Sequence, residues 1–247
     1  MRLRPQQLDS KTLLYFITTL LAQLPGELSD FNTMELQLEL GTRIVRLLSA
    51  GNGTPPLTPL LSRLYVERAI EIIRNGRSLD ELPVSVGEAY FEFVLRLVRD
   101  ADVSDTGKAL EVVKRLARAS LGDRLIPGRL TLQKANEITA SSEDKQSQVL
   151  RKLIASGLLS ENTVGLQPGV QFTLDPVAEF CAAYSYTEEC GFSMPAWQSL
   201  AVILRKALPP PVGFRGALLA VIRAYADKGV CSRCVATARK PTNRQYR

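Results

Sequence analysis

The sequence predicts a mainly α-helical fold, in which a helical domain is followed by a smaller domain with a β-hairpin and then by further helices. Two observations lead to this prediction. Apolar residues recur at i, i+3, i+4 and i+7 along most of the 247-residue chain, which is the spacing of one face of an amphipathic helix. Only the stretch 158–174 combines short apolar runs with polar, Gly and Pro residues in the manner of a hairpin.

Four helices are predicted in the first part of the chain, and residues that stop helices separate them. Pro25-Gly26, the run Ala50–Gly53 and Asn75-Gly76 end the first three. The predicted ranges are 8–24, 34–48 and 59–74, and a fourth helix opens at Pro83 or Ser85 after a loop at 78–82. We interpret residues 1–103 as one helical domain.

The first of these helices follows a basic start and superficially has the apolar character of a signal peptide. Asp9 lies in the would-be basic region, however, and no small-x-small cleavage site follows. No stretch approaches the roughly 18 uninterrupted apolar residues of a membrane-spanning helix. We therefore expect an amphipathic helix here, no membrane partner and a cytoplasmic protein.

A second domain is predicted at 104–174, and its first part is helical. The helices are expected at 106–121, 131–138 and 142–155. Ser141 and Asp144 match a capping box, in which each residue satisfies a free backbone N–H group at the start of the last helix. Ser156-Gly157 ends that helix.

The hairpin follows at 158–174, with turns placed at Glu161-Asn162 and at Pro168-Gly169 because these residue types favour turns. Three helices followed by a hairpin is the order of elements in a winged-helix domain. The sequence therefore predicts a winged helix at 104–174.

A strand that runs directly into a helix is predicted where this domain ends. Phe172 belongs to the strand, Asp175 is expected to cap the helix, and Pro176 suits the first helical position. The apolar face of this helix would consist of Val177, Phe180, Cys181 and Tyr184. The small residues Ala182 and Ala183 would allow close packing beside that face.

The C-terminal part separates into a helical region at 175–230 and a basic tail at 231–247, which we expect to be poorly ordered. Two further helices are expected at 193–208 and 214–227. Residues 204–247 hold 10 Lys and Arg and one acid, a net charge of +9, so residues 1–203 carry 21 basic and 24 acidic residues, or −3. This basic end is either a solvated tail or a contact for nucleic acid or another acidic partner.

The strand-to-helix segment resembles the junction that follows the winged helix in NACHT-type signalling NTPases of the STAND class. That family commonly shows Phe-x-His or Phe-x-x-Asp-Pro, followed by Glu-Tyr/Phe-Leu-Ala-Ala. The matching residues are Phe172, Asp175, Pro176, Glu179, Phe180, Ala182 and Ala183, with Cys181 in place of the usual Leu. The similarity covers about 8–190 and is best at 57–75 and 148–184. It implies that these residues are structural parts of a switch, in which the winged helix packs against a nucleotide-binding core.

A second element of the resemblance is Thr58-Pro59-Leu60-Leu61, which is similar to the Pro-Leu-x-Leu element of the family's helical domain. In the family that proline packs against the adenine of a bound nucleotide. The resemblance thus makes Pro59 a candidate nucleotide-binding residue. The alternative is a proline that simply starts a helix.

The resemblance does not extend to the phosphate-binding loop, which requires Gly-x-x-x-x-Gly-Lys-Ser/Thr. The nearest string is Gly107-Lys108, but Asp102 stands where the first Gly is needed and Ala109 replaces the hydroxyl residue. No apolar strand ends in paired acids either. We therefore expect the chain to hydrolyse no ATP and to hold no cofactor alone. ATP or ADP would be bound in an intact family member.

The chain contains no histidine, which excludes Ser-His-Asp, Cys-His and His-metal sites. Asp80-Glu81 and Glu188-Glu189 are the obvious acidic clusters, and we interpret both as solvated faces. Cys231-Ser-Arg-Cys234 is one pair, whereas structural zinc needs four ligands. We expect no catalytic residue and no metal site, with zinc or a redox pair at these cysteines as alternatives.

The predicted third helix of the winged helix argues against a DNA reader. Glu143 and Asp144 near its start would repel phosphates, and the hairpin contains no Lys or Arg. The sequence therefore favours protein partners, either a P-loop NTPase core or a second copy, over nucleic acid. The first hypothesis is a non-catalytic regulatory fragment of a NACHT/STAND NTPase. A winged-helix transcription regulator and an unrelated helical interaction protein are the alternatives.

Overall fold

A computed structural model describes most of the chain. The described residues are 10–23, 33–49, 59–83, 86–103, 105–140, 147–164, 167–207 and 211–227. They form ten α-helices and one small three-stranded antiparallel sheet, which confirms the prediction of a mainly helical fold with a hairpin. The chain divides into two compact units, 1–93 and 94–247. The predicted boundaries at 103, 174 and 230 stay predictions.

The first unit is helical throughout its described part. Its elements are α1 (Ser10–Ala22), α2 (Met34–Ser49), α3 (Pro59–Arg74), a short 3-10 helix (Leu79–Glu81) and the first half of α4 (Val86–Asp100). Helices α1, α2 and α3 pack against one another. Their fully buried side chains include Leu13, Ile17, Leu21, Leu40, Ile44, Leu61, Tyr65 and Ile72. The spacing of these residues is the helical periodicity of the sequence, but the apolar periodicity of α2 also includes Leu38, which is exposed.

Asp80 and Glu81 are exposed, as predicted for a solvated face, but both also form ion pairs that the sequence did not predict. The Arg43 side chain reaches from α2, with Nη2 2.9 Å from the Asp80 carboxylate and Nη1 donating to the Leu79 carbonyl at 3.0 Å. Glu81 pairs with Arg77. The hydrogen bond from Arg43 lowers the pKa of Asp80, although that carboxylate stays exposed. Asp80 therefore links the 3-10 helix to α2, whereas the ion pair of Glu81 is local.

The second unit holds the sheet and the remaining helices. After the end of α4 come α5 (Thr106–Leu121), β1 (Leu130–Thr131), α6 (Leu132–Ala140), α7 (Ser147–Ala155), β2 (Leu159–Val164), β3 (Gln167–Phe172), α8 (Asp175–Cys190), α9 (Met194–Lys206) and α10 (Val212–Asp227). Asp105 caps α5 by accepting from the Lys108 backbone N–H at 3.0 Å, and Ser193 caps α9 in the same way. The predicted capping box at Ser141 and Asp144 lies outside the described residues, as does Glu143.

The sheet has the strand order β1-β3-β2, with β3 in the centre. Both predicted turns are wrong, because Glu161-Asn162 lies within β2 and Pro168-Gly169 within β3. Asn162 is the partner of Gly169 across the pair of strands. The two-residue strand β1 pairs only with Gly169 and Val170. Pro168 is therefore tolerated in a central strand, since β1 does not extend to it.

Gly169 is needed for close approach between strands and not for a turn. Its φ is outside the left-handed region that favours glycine. A Cβ atom at this position would lie 2.6 Å from the Leu130 carbonyl oxygen and would also overlap the Arg129 side chain, which donates to the Gln167 carbonyl. The local sequence suggests a turn because Pro-Gly is a turn dipeptide, but strand pairing determines the conformation.

Gly169→Ala is expected to lower the free energy of unfolding by about 1–3 kcal/mol, because the backbone carbonyl of Leu130 cannot move aside as a side chain would. Chemical denaturation followed by circular dichroism measures the change. Gly107→Ala, at the exposed start of α5, is the matched control: its Cβ would meet a side-chain oxygen, that of Asp105 at 3.3 Å, which can shift slightly, so a change of less than about 0.5 kcal/mol is expected. Equal effects at the two positions would contradict the close approach of β1 and β3.

Candidate functional site at the junction of β3 and α8

The junction between β3 and α8 is tied to the rest of the sheet at its first residues. Phe172, the last residue of β3, is buried and pairs with Leu159. Thr173 then bonds back to the turn after α7, with its backbone N–H donating to the Leu158 carbonyl at 3.1 Å and its hydroxyl to the Gly157 carbonyl at 2.7 Å. These bonds fix where the chain leaves the sheet, and therefore where α8 begins.

The start of α8 differs from the predicted cap. Helix α8 begins at Asp175, its N-cap residue is Leu174, and no side chain forms a cap hydrogen bond there. Asp175 lies inside the first turn, where its negative charge faces the positive end of the helix dipole. Pro176 occupies the first turn as predicted, because its missing N–H is not needed there. Asp175 thus acts by charge and not as a capping acceptor.

Helix α8 is buried on nearly every side of its first half, and not on one face as the sequence suggested. The predicted apolar residues Val177, Phe180 and Cys181 are buried, while Tyr184 is half-buried. Ala182 and Ala183 are completely buried too. The reason is that α8 packs against α5 and α10 and also contacts α9. The small side chains permit this because they let neighbouring helices approach closely.

The second half of α8 is joined to α5 by a buried cation that the sequence analysis missed. The Lys114 side chain on α5 is only 5% exposed and forms ion pairs with Glu188 of α8 and with Glu111 one turn away. Its Nζ lies 5.4 Å from the centroid of the Tyr184 ring. Burial lowers the pKa of Lys114, but the hydrogen bonds to both carboxylates outweigh burial and raise it. Lys114 therefore stays charged at neutral pH.

A second pair lies one helical turn further along α5. Arg118 pairs with Glu189, and its guanidinium lies 4.2 Å from the centroid of the Tyr186 ring. The Tyr186 ring also meets the Phe214 ring of α10 edge-to-face, with the ring centroids 6.1 Å apart. Glu188 and Glu189 are both exposed, as predicted, but each carboxylate also forms an ion pair with a cation of α5, which the sequence did not predict. The sequence does contain one indication of this contact. Lys114 falls four residues after Leu110, within the apolar face of α5, where a cation needs a partner.

Glu179 connects α8 to the beginning of α10. A Cβ atom added at Gly213, the second residue of α10, would overlap the Glu179 carboxylate. The negative charge thus lies at a helix N-terminus, where unpaired backbone N–H groups create a partial positive charge. Glu179, predicted as a structural residue, is positioned to stabilise the start of α10.

Glu179→Gln is expected to lower the free energy of unfolding by about 0.5–1 kcal/mol, because the amide keeps the shape of the side chain but removes its charge from the α10 N-terminus. Urea denaturation at low and high salt measures the effect, which should shrink as salt screens the charge. Glu161→Gln, on the exposed side of β2, is the control and should change stability by less than about 0.5 kcal/mol. A loss at Glu179 that is independent of salt would contradict the dipole explanation.

The chemistry available at this site is limited by burial. Burial raises the pKa of the Cys181 thiol to about 12, against the opposing effect of the Lys114 charge, so the thiol is not a nucleophile at neutral pH. Cys190 is also a free, buried cysteine, and burial raises the pKa of its thiol. In the part of the chain that the structure describes, no three His, Cys, Asp or Glu side chains are grouped to hold a metal ion. Cys231 and Cys234 lie outside that part.

The other predicted site residue, Pro59, is the first residue of α3, and its side chain is outside the described atoms. Pro59 belongs to the first compact unit, whereas the junction residues belong to the second. Gly107-Lys108 lies in the first turn of α5, where the Lys108 N–H is used by the Asp105 cap. The seven junction residues therefore form the candidate site, in which the central helix α8 holds α5, α10 and the sheet in one unit.

Comparison with known proteins adds no relative, because no protein-family description matches the chain and no curated protein matches it significantly. Within the described ranges, no helix has both the length and the apolar composition that crossing a membrane requires.

Proposed function

We propose that the chain is a non-catalytic regulatory and interaction fragment of a NACHT/STAND signalling NTPase, acting in the cytoplasm. In this proposal the second unit contains a winged helix formed by α5, β1, α6, α7, β2 and β3. Support comes from the order of these elements and from the strand order β1-β3-β2, both of which suit a winged helix. Residues 175–227 then continue into the helical region that follows the winged helix in that family.

The observation that carries the proposal is the direct passage from β3 into the buried helix α8. The residues that resemble the family motif are the ones that make this passage and pack α8 between α5 and α10. Such a helix is suited to a switch, because movement of the winged-helix elements would be transmitted to α10 through side chains that are already in contact. The ion pairs of Lys114 and Arg118 would hold the unit together during that movement.

In this proposal the chain does not bind a nucleotide alone, because the nucleotide-binding core belongs to another polypeptide. ATP or ADP would be bound by that core, and Pro59 would contribute an apolar contact to the adenine. The partner is accordingly a P-loop NTPase core, with assembly into homo-oligomers after release. The chain itself supplies no step of ATP hydrolysis in this mechanism.

The test begins with the coding sequence beside this chain, which should encode a Walker loop in the same or an adjacent frame. The polypeptide so identified is then titrated with this chain in ADP and in a non-hydrolysable ATP analogue. We expect the affinities to differ by about tenfold or more. Pro59→Ala should weaken ADP binding to the complex, while Pro168→Ala, on an exposed position of β3, should not. Absence of a Walker loop, or equal affinity in both nucleotides, would sink the proposal.

A winged-helix DNA-binding regulator is the second candidate, favoured by the basic residues 204–247. Several described cations of the winged-helix elements already interact with groups of the protein itself, which argues against phosphate contacts. Lys152 donates to the Asp102 carbonyl, Lys134 pairs with Glu137, and Arg129 donates to a strand carbonyl. A mobility-shift titration separates the candidates. Sequence-selective binding whose affinity falls steeply with salt would favour the DNA-binding regulator.

A further inference from the structure

Helices α9 and α10 belong to a stretch of the chain without negative charge. Residues 191–226 contain no Asp or Glu, and they contain four basic residues. These are Arg205, Lys206, Arg215 and Arg223. A stretch of this length with one sign of charge leaves its cations to be balanced by something other than its own neighbours in sequence.

The outer side of α9 combines two of these cations, Arg205 and Lys206, with exposed apolar side chains. Val202 and Arg205 follow Met194 by eight and eleven residues, respectively, so all three side chains lie on one side of the helix. Met194 is 58% exposed and Val202 is 48% exposed, and Phe192 just before the helix is 67% exposed. We name this set, together with Lys206, the α9 surface.

The remaining residues of α9 bury little surface against the rest of the unit. Leu200 is the only fully buried residue among the thirteen of α9. Within the described residues, neither Arg205 nor Lys206 forms an ion pair with a carboxylate. Exposed large apolar side chains rimmed by charge are typical of surfaces that bind another molecule.

We infer that the α9 surface binds an acidic amphipathic helix of a protein partner. The apolar side chains at 194 and 202 are two turns apart, which suits apolar residues at i, i+4 and i+8 on a partner helix. Arg205 and Lys206 at one end of α9 then face acidic side chains of that partner, which sets its direction. This binding uses the isolated chain and does not depend on an NTPase core.

Other ligands fit the surface less well. Nucleic acid phosphates would meet the cations but would leave Met194, Val202 and Phe192 without apolar contacts. An anionic membrane attracts clusters of about four to eight cations, whereas α9 presents two adjacent ones. The surface contains no carboxylate, so a second α9 surface would bring like charges together if the two helices packed in parallel.

The chain provides its own reporter for the test. Trp197, the single tryptophan of the sequence, lies in α9, where its Nε1 donates to the Gly191 carbonyl at 3.2 Å. The probe is an acidic helical peptide of about 16 residues without Trp or Tyr, with leucine at i, i+4 and i+8 and glutamate on both flanks. Titrating it into the full chain at about 0.15 M salt should give a saturable change in tryptophan emission.

Two comparison peptides separate amphipathic recognition from simple charge attraction. A scrambled peptide of the same composition and a peptide with lysine in place of glutamate should each bind at least about tenfold more weakly. Vesicles with phosphatidylserine and a random DNA duplex are titrated in the same assay. Equal binding of the scrambled peptide, or tighter binding of vesicles or DNA than of the acidic peptide, would overturn the inference.

Variants locate the binding on the molecule. Val202→Glu and the double change Arg205→Glu with Lys206→Glu should each weaken binding of the acidic peptide about tenfold or more. Leu38→Glu is the matched control, because Leu38 is 54% exposed on α2 and lies outside the α9 surface. Circular dichroism verifies that each variant is folded. No saturable emission change with the acidic peptide, or equal weakening by Leu38→Glu, would refute the assignment. Sedimentation without peptide shows whether a second copy of the chain occupies the α9 surface. A dimer that Val202→Glu disrupts would overturn the inference, because the occupant would then be a second copy and not a partner helix.

Discussion

Phe180→Ala is expected to lower the free energy of unfolding by about 3–5 kcal/mol, because it removes a buried aromatic ring from the most enclosed helix of the second unit. Phe180 is 3% exposed, and its ring centroid lies 6.1 Å from that of Tyr184 on the next turn. Helix α8 is flanked by both α5 and α10, so the surroundings cannot collapse into the cavity from one side without losing contacts on the other. Denaturation followed by circular dichroism measures the loss.

Phe192→Ala is the control for this change, since it removes the same ring from the turn that follows α8. Phe192 is largely exposed, and its loss should change the free energy of unfolding by less than about 0.5 kcal/mol. Phe192→Ala should also weaken binding of the acidic peptide, whereas Phe180→Ala should not while the protein remains folded. Similar destabilisation by the two variants would mean that α8 is not enclosed as described.

Most helices could be predicted from the sequence because their ends are determined by local residues. Helices α3 and α5 begin and end at the predicted positions, Pro59–Arg74 and Thr106–Leu121. A proline, an Asp cap and a following Gly act within a few residues of the helix end, and no distant contact is needed to recognise them. The winged-helix interpretation and the family resemblance depend on more than these local signals and stay proposals.

The sheet shows where local signals fail. Strand β1 consists of Leu130 and Thr131 and exists because it pairs with Gly169 and Val170 nearly forty residues later. The same pairing draws Pro168-Gly169 into a strand, although the dipeptide by itself favours a turn. Pairing partners distant in sequence are not visible in the pattern of one segment, so both features escaped prediction.

The position of the junction site in the chain could be predicted from the sequence, but the helices that surround it could not. The periodicity of Val177, Phe180 and Cys181 correctly identified buried positions, but it could not show that helices cover α8 from several directions. Glu188 and Glu189 are exposed as predicted, but the sequence around them did not reveal their ion pairs. Their partners lie more than seventy residues earlier, on α5. Only the unusual place of Lys114 in the apolar face of α5 pointed to such a contact.

Removing both carboxylate partners of Lys114 should have a large electrostatic effect on stability, because Lys114 is a buried cation. The double change Glu111→Gln with Glu188→Gln leaves the Lys114 ammonium buried without a carboxylate and is expected to cost about 3–5 kcal/mol. Adding Lys114→Met to that background should restore most of the loss, because an apolar side chain of similar length fills the same space. Glu137→Gln, which breaks the exposed pair with Lys134, is the control and should cost less than about 1 kcal/mol.

The pH dependence of the free energy of unfolding gives an independent test. The contribution of Lys114 to it has opposite signs in the natural chain and in the double variant. In the natural chain the pKa of Lys114 is raised above its ordinary 10.5, so the folded state holds its proton more tightly than the unfolded state. This contribution to stability is complete below pH 10.5 and is lost as the pH rises through the raised pKa. In the double variant only burial and the Tyr184 ring remain, and burial lowers the pKa of the ammonium.

The unfolded state of that variant then binds more protons than the folded state, so its free energy of unfolding should rise as the pH approaches 10.5 from below. Denaturant titrations between pH 7 and pH 10 compare the double variant with the triple variant that carries Lys114→Met. The difference between them should narrow as the pH rises, because the buried amine of the double variant loses its charge. A difference that stays constant over this range would show that Lys114 is hydrated when its carboxylates are removed, and would contradict its burial as a charged group between α5 and α8.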